Sequence, residues 1–312
     1  MMISNKEYSL LDAVPSERID LMERGLKELR KWIYDLLSNG ISTLVHGADE
    51  PWESLAVRMV DYKLGGVAGY LRKMIIRDDK QLIEEWYFEI VKLIAYLDAL
   101  ITGFQKSRNQ GKVPSIDVLR ACGVTFKKED VKKVQKGLLD CWRVVYLETD
   151  SNEYVEYSKL YLWGKKTNRL ALVLDFKGRD SRGELPWYLI RQDVQFEAEL
   201  FFYPSAFPVR GFLENIKPID FPAITPISKS SNPDFLTAFA RQPFAFSFPV
   251  LLNHCQIDGY NSGNICWDRI QLPFQMHQEA GEDLTEDYLN HSLTIFAEWT
   301  GWQLNILRIF MD

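Results

Sequence analysis

Val194-Gln195-Phe196-Glu197-Ala198-Glu199-Leu200-Phe201-Phe202-Tyr203 is the stretch on which the fold class turns. Val194, Phe196, Ala198, Leu200 and Phe202 fall on alternate positions, with Gln195, Glu197, Glu199, Phe201 and Tyr203 between them. A period of two is the signature of a half-buried strand. The strand runs straight into Pro204-Ser205-Ala206-Phe207-Pro208-Val209-Arg210, where two prolines fix the chain's exit and aromatics crowd a short corner. Upstream, 142–149, 155–163 and 169–176 also read as strands. Leu170 to Leu174 shows no alternation, so both of its faces are expected to be covered. Downstream, 214–234 carries Pro218, Pro222, Pro226 and Pro233 and reads as an ordered excursion over the surface. A short helix is expected at 233–242. The C-terminus reads as a hairpin, Thr294 to Trp299, a turn at Thr300-Gly301, then Trp302 to Phe310. Gly178 to Glu184 reads as a hairpin tip, and no internal repeat is visible in the sequence.

Before residue 141 the period is different. Met22, Leu26, Leu29, Ile33, Leu36, Leu37, Ile41 and Leu44 step by threes and fours, one stripe of a helix. Ser16 is placed to cap its start and Asn39-Gly40 to weaken its end. A second helix starts at Pro51, with Trp52, Leu55, Ala56, Met59 and Val60 on its apolar face. Gly65-Gly66 interrupts the pattern and 67–76 resumes it. A long helix spans roughly 79–105, with Leu82, Ile83, Trp86, Ile90, Ile94, Leu97, Ile101 and Phe104 inward. Two short ones follow near 115–122 and 127–138, capped by Ser115 and Thr125. The expected class is therefore α+β: a helical domain, 1–140, then a mainly antiparallel β domain, 141–312, barrel- or sandwich-like.

Charge divides the chain as well. The net charge is −6. Residues 1–140 hold 22 Lys and Arg against 21 Asp and Glu, and 141–312 hold 15 against 22. Nucleic-acid binders draw their affinity from phosphate neutralisation by a basic face. One run offers this, Lys127, Lys128, Lys132, Lys133 and Lys136, interrupted by Glu129 and Asp130; it reads as a solvated helix face or a phosphate site. The four cysteines, Cys122, Cys141, Cys255 and Cys266, form no CxxC and read as buried thiols of a reducing compartment. The N-terminus lacks a basic segment followed by an apolar one. Glu89, Lys92 and Asp98 interrupt the most apolar helix, so no membrane span is expected. The cytoplasm is the default location.

Phosphate loop, dinucleotide fingerprint, HExxH, GxSxG and SxxK motifs are all absent. His254, Cys255, Cys266 and His277 have gaps that match no compact zinc finger, and adjacent residues on a strand face opposite ways. His46 reads as a surface histidine. Gly65, Gly66 and Gly69 lie between helices in packing or hinge roles. Arg58 and Asp61 read as an ion pair on one helix face, or as a polar anchor between helices. Tyr203, Ser205, Phe207 and Arg210 form either a core corner or a binding groove, aromatics beside one Arg being hot-spot chemistry.

GLKELRKWIYDLLSNGIS (25–42), WESLAVRMVDYKLGGVAGYLRKM (52–74), RLALVLDF (169–176), LFFYPSAFPVRGFL (200–213) and SLTIFAEWTGWQLNILRIF (292–310) carry a resemblance. The chain resembles the region that follows the zinc finger in bacterial SWIM zinc-finger proteins. The finger, a CxC followed later by a CxH, is absent, so the chain looks like the finger-less body of such a protein: a fragment, a split gene product or a short form. No zinc ligand is carried over. The resemblance implies an accessory role beside a MoxR-class AAA+ ATPase and a von Willebrand factor A-type protein. The leading expectation is a non-catalytic interaction protein without cofactor. The alternatives are a nucleic-acid-binding accessory protein, using Lys127–Lys136 with Arg72, Lys73 and Arg77, and an unrecognised hydrolase, for which the sequence offers only exposed-looking acid pairs such as Asp78-Asp79 and Glu84-Glu85.

Overall fold

Seven turns of amphipathic helix begin at Ser16: α1, Ser16–Asn39, buries Ile19, Met22, Leu26, Leu29, Ile33 and Leu36 along one stripe. Ser16 does not cap it. Pro15 holds the cap position and Ser16 is the first helical residue, a helix start in which no side chain bonds the free amides. Leu37, one position past the stripe, is exposed. In the computed structural model the described residues are 10–41, 50–75, 83–151, 155–178, 185–219, 227, 230–231, 234–258, 262–277 and 291–311. The expected hairpin tip at 179–184 lies outside them, as do Leu44, His46, Arg77, Asp78-Asp79, Leu82 and three prolines of the excursion.

The chain divides into two compact units, Met1–Asp130 and Val131–Asp312. In the first, α2 (Glu50–Asp61), α3 (Gly65–Ile75) and α4 (Ile83–Asn109) join α1, and α5 (Ile116–Cys122) follows. Trp32 of α1 meets Trp52 of α2 edge to face at 5.0 Å, and Tyr70 of α3 meets Tyr96 of α4 in the same way. Arg30 of α1 reaches Gln105, Thr102 and Asp98 of α4. The four long helices therefore pack around one core, which Met22, Leu26, Met59, Val67, Ile90, Ile101 and Phe104 fill without solvent exposure.

The interruption near Gly65 is made two residues earlier. Lys63, at φ 62°, takes the left-handed position after α2. Its amide bonds the Val60 carbonyl and that of Leu64 bonds Met59, the paired closure of a Schellman cap with buried Leu64 as its apolar contact. Gly66 has the packing role: a Cβ there would collide with the Ala121 carbonyl, and one on Gly123 would collide with the Gly66 amide. Gly123 also ends α5 at φ 108°. The Ser115 cap forms as expected, accepting from the Val118 amide. Arg58 pairs with Glu28 of α1, so it is an interhelical anchor rather than a partner of Asp61. The short α6 runs Lys128–Val134, ending before 138 because Leu138 already begins a strand.

The second unit holds two barrels. Strands β1 (Leu138–Ser151), β2 (Val155–Gly164), β3 (Leu170–Gly178), β4 (Gln195–Phe202) and β5 (Arg210–Pro218) close in the order 1-2-3-5-4-1. Every pairing is antiparallel except β3 with β5. After Phe235–Thr237 and the single-turn α7 (Ala238–Arg241), which together form the short helix expected near 233–242, come β6 (Phe248–Asp258), β7 (Ser262–Trp267), β8 (Ile270–Met276), β9 (Leu293–Trp299) and β10 (Leu304–Met311). These repeat the same order, with β8 and β10 as the one parallel pair. A five-stranded Greek-key barrel so connected is of the OB type. The structure thus contains a repeat that the sequence does not display.

Closure follows from the inward faces. Phe196, Ala198, Leu200 and Phe202 meet Trp142, Val144, Leu160 and Val173 inside the first barrel, and Leu189 plugs it between β3 and β4. Val250, Leu252, Ile265, Phe274, Ile295 and Ile306 fill the second, with Phe235 beneath. A third apolar layer joins them: Val145, Tyr146, Tyr161, Trp163 and Leu170 on the outside of the first barrel pack on Leu251, Phe296 and Leu307 of the second. This double cover explains the unbroken apolar run at 170–174, where Ala171 and Val173 face their own core and Leu170 the neighbouring barrel.

Candidate functional site

The corner singled out in the sequence is the loop between β4 and β5. The Tyr203 amide bonds the Arg210 carbonyl and closes it. Ser205 and Phe207 are packed inward: the Ser205 hydroxyl accepts from the Phe207 amide, and the Phe207 ring meets Phe248 edge to face at 5.0 Å. Tyr203 and Arg210 stay at the surface together, the guanidinium 5.5 Å from the ring centroid. Behind them Phe202 belongs to the barrel core. The exposed Arg169 lies 4.3 Å over its ring. Phe207 and Val209 pack with Ala238, Phe239 and Phe248, so this loop also fastens the first barrel to the second.

The lysine run is distributed differently from a phosphate stripe. Lys128, Lys132 and Lys133 stand on α6, Lys127 precedes it, and Lys136 lies in the segment leading to β1. Lys132 pairs with Glu214 of β5 at 3.1 Å. Cys122 and Cys255 are buried as expected, but Cys141 is half-buried and Cys266 exposed, because β7 turns it outward while Ile265 faces the core. Cys122 has its thiol pushed up to about 12 by burial. Among the described residues, His254 is exposed and Cys255 buried, and no group of three or more His, Cys, Asp or Glu stands close enough to hold a metal ion.

Sequence reasoning missed the polar cluster at the seam of the barrels. Arg143 of β1, 7% exposed, forks onto Asp193 with Nη2 2.6 Å from Oδ1. Arg308 of β10 approaches the same carboxylate and also donates to the Val145 carbonyl. Both guanidiniums lie over the Phe310 ring. Burial raises the Asp193 carboxyl, but the hydrogen bonds from Arg308 and Arg143 outweigh it, and its pKa falls below the ordinary value. Nearby, the Tyr161 hydroxyl donates to Glu298 across the seam, and burial followed by that carboxylate drives the phenol's pKa upward. No spacing in the sequence marks these partners, which lie 50 and 115 residues from Asp193.

A second carboxylate, this one fully buried, is equally committed. Asp140 accepts from the amides of Cys141, Lys166 and Thr167 and from the Thr167 hydroxyl, pinning the β2–β3 turn. A carboxylate whose lone pairs are filled by backbone donors acts as a structural clamp.

Four long helices surround one core, closed by the Gly66–Gly123 contact. Residues 17–121 match the SWIM-associated four-helix bundle domain. The match runs from the second residue of α1 to the last residue but one of α5, about a third of the chain, and the first unit is similar to that bundle over this stretch. What matches is the bundle and not a zinc finger. No curated protein and no solved structure matches the chain. No helix among the described residues is long and apolar enough to cross a membrane.

Proposed function

We propose that this chain is a non-catalytic accessory protein of a SWIM-type system, one that works by holding partners. The observation that carries the reading is the SWIM-associated bundle at residues 17–121. Its surface supports it. Tyr34 and Leu37, three apart on α1, and Phe88 and Val91, three apart on α4, are 60%, 49%, 62% and 50% exposed. Large apolar side chains grouped on helix faces are protein-docking chemistry. The partners the family resemblance implies are a MoxR-class AAA+ ATPase and a von Willebrand factor A-type protein, in the cytoplasm.

Buried Asp140 and half-buried Asp193 support a structural rather than a hydrolytic role, since both are held by fixed donors. The acidic balance of 141–312 and the Lys132–Glu214 pair both weigh against a phosphate surface. Mixing the purified chain with each of the two partner proteins from the same genome, followed by size exclusion, tests the reading. Co-elution that Phe88→Asp weakens at unchanged melting temperature is the expected result. Separate elution of all three proteins at micromolar concentration would overturn it.

A further inference from the structure

The second barrel carries an uncharged amide surface beside an exposed tryptophan. Ile265, Leu272, Phe274, Leu304 and Ile306 face its core, so the alternate positions face out. Outward stand Asn264 on β7, Gln271 and Gln275 on β8, and Asn305 on β10, with Gln303 in the turn just before. Apart from the neutral thiol of Cys266, none of the outward positions of 262–266, 271–275 and 303–305 is ionisable, in a chain of which 26% is charged. Gln275 and Asn305 are register partners across the parallel junction. The Gln303 amide nitrogen joins them, 3.2 Å from Gln275 Oε1 and 3.1 Å from Asn305 Oδ1.

Trp302, 54% exposed, immediately precedes Gln303 in the turn that leads into β10. Its loop is rigid: the Thr300 amide and hydroxyl both bond the Gln303 carbonyl, and the Gln303 amide bonds back to the Thr300 hydroxyl. A ring held on such a turn loses little freedom when something stacks on it. The place is also informative. The row lies on the second and third strands of the barrel and the loop between its fourth and fifth, the surface on which OB barrels take up oligonucleotides and oligosaccharides.

Charge decides between those two ligands. A single-stranded nucleic acid needs cations along its backbone as well as a stacking ring; among the described outward residues of these strands there is no cation, Arg269 lying in the turn beyond the ends of β7 and β8. An amide side chain both donates and accepts, as a sugar hydroxyl does. The electron-rich face of an indole attracts the C–H-bearing face of a pyranose. We infer that the β7–β8–β10 face of the second barrel binds an uncharged oligosaccharide, with Trp302 as the stacking plate and Gln275, Gln303 and Asn305 as the hydrogen-bonding strip.

The test uses the full chain with maltohexaose, cellohexaose, chitohexaose and a twelve-residue oligothymidylate, each titrated by calorimetry. Cys266 provides a second readout, because its exposed thiol lies on the same face, paired with Gln271. Bound sugar is expected to slow its alkylation. At least one hexasaccharide should bind saturably, Trp302→Ala should weaken it about tenfold or more, and Gln303→Ala should weaken it at unchanged melting temperature. The inference is overturned if no hexasaccharide binds at millimolar concentration, if Trp302→Ala binds as well as the parent, or if the oligothymidylate binds here more tightly than any sugar.

Discussion

Arg308 and Asp193 meet as a two-point fork, Nη1 3.1 Å from Oδ1 and Nη2 2.7 Å from Oδ2, and tie the last strand of the second barrel to the loop entering the fourth strand of the first. Arg143 shares the carboxylate, so one anion serves two guanidiniums. Removing it takes these charged hydrogen bonds from Arg143, which is almost fully buried. Asp193→Ala should lower unfolding free energy by about 1.5–3 kcal/mol, the range for hydrogen bonds to charged groups, measured by urea denaturation.

The same carboxylate gives a pH dependence. Its folded pKa lies below its unfolded one, the guanidinium bonds outweighing burial. Such a group stabilises the fold above the unfolded value, about 3.9, and the contribution fades as pH falls through the folded value. The melting temperature should therefore drop between about pH 5 and pH 3, and Asp193→Asn should show a shallower drop. Parallel curves for parent and variant would remove Asp193 from the acid response.

In the bundle, Gly66 and Gly123 admit no Cβ. Gly123→Ala meets two costs, a left-handed φ and a collision with the Gly66 backbone, and should destabilise the bundle by more than about 1 kcal/mol. Lys63→Gly should act oppositely, adding up to about 1 kcal/mol by relieving the left-handed lysine after α2. Thermal melts of both variants check the pair.

Phe202→Ala, which opens the core of the first barrel, should cost about 3–5 kcal/mol. Arg210→Ala removes only the exposed cation over Tyr203 and should cost within about 1 kcal/mol. Equal melting temperatures for the two variants would contradict the inward placement of Phe202.

Native-state alkylation should rank the thiols. Cys266 is exposed and should react first; Cys122, buried with its thiol at about 12, should react only on unfolding. Mass spectrometry after a timed pulse of iodoacetamide reads the order.

The amino-acid sequence by itself determined the elements whose periodicity survives in the fold: the stripe of α1, the alternation of β4, the cap at Ser115 and the C-terminal hairpin. Each depends on neighbours within a turn or a strand, which a window of sequence contains. Strands β6 to β8 were illegible beyond a strand at His254-Cys255. Phe248 to Asn253 is buried throughout, because Val250 and Leu252 face the barrel core and Leu251 the seam, so no alternation remains. Pro249 and Pro273 within these strands mask them further. Tertiary structure alone decided that the barrels close in the same order, since closure rests on pairings such as Leu172 with Arg210 and Leu304 with Phe274. It alone brought Arg143 and Arg308 to Asp193 and Gln303 between Gln275 and Asn305. Asp193 is far from Arg143 and Arg308 in the chain, as Gln303 is from Gln275, and hydrogen bonds and charge act through space, at ranges that the order of residues does not encode.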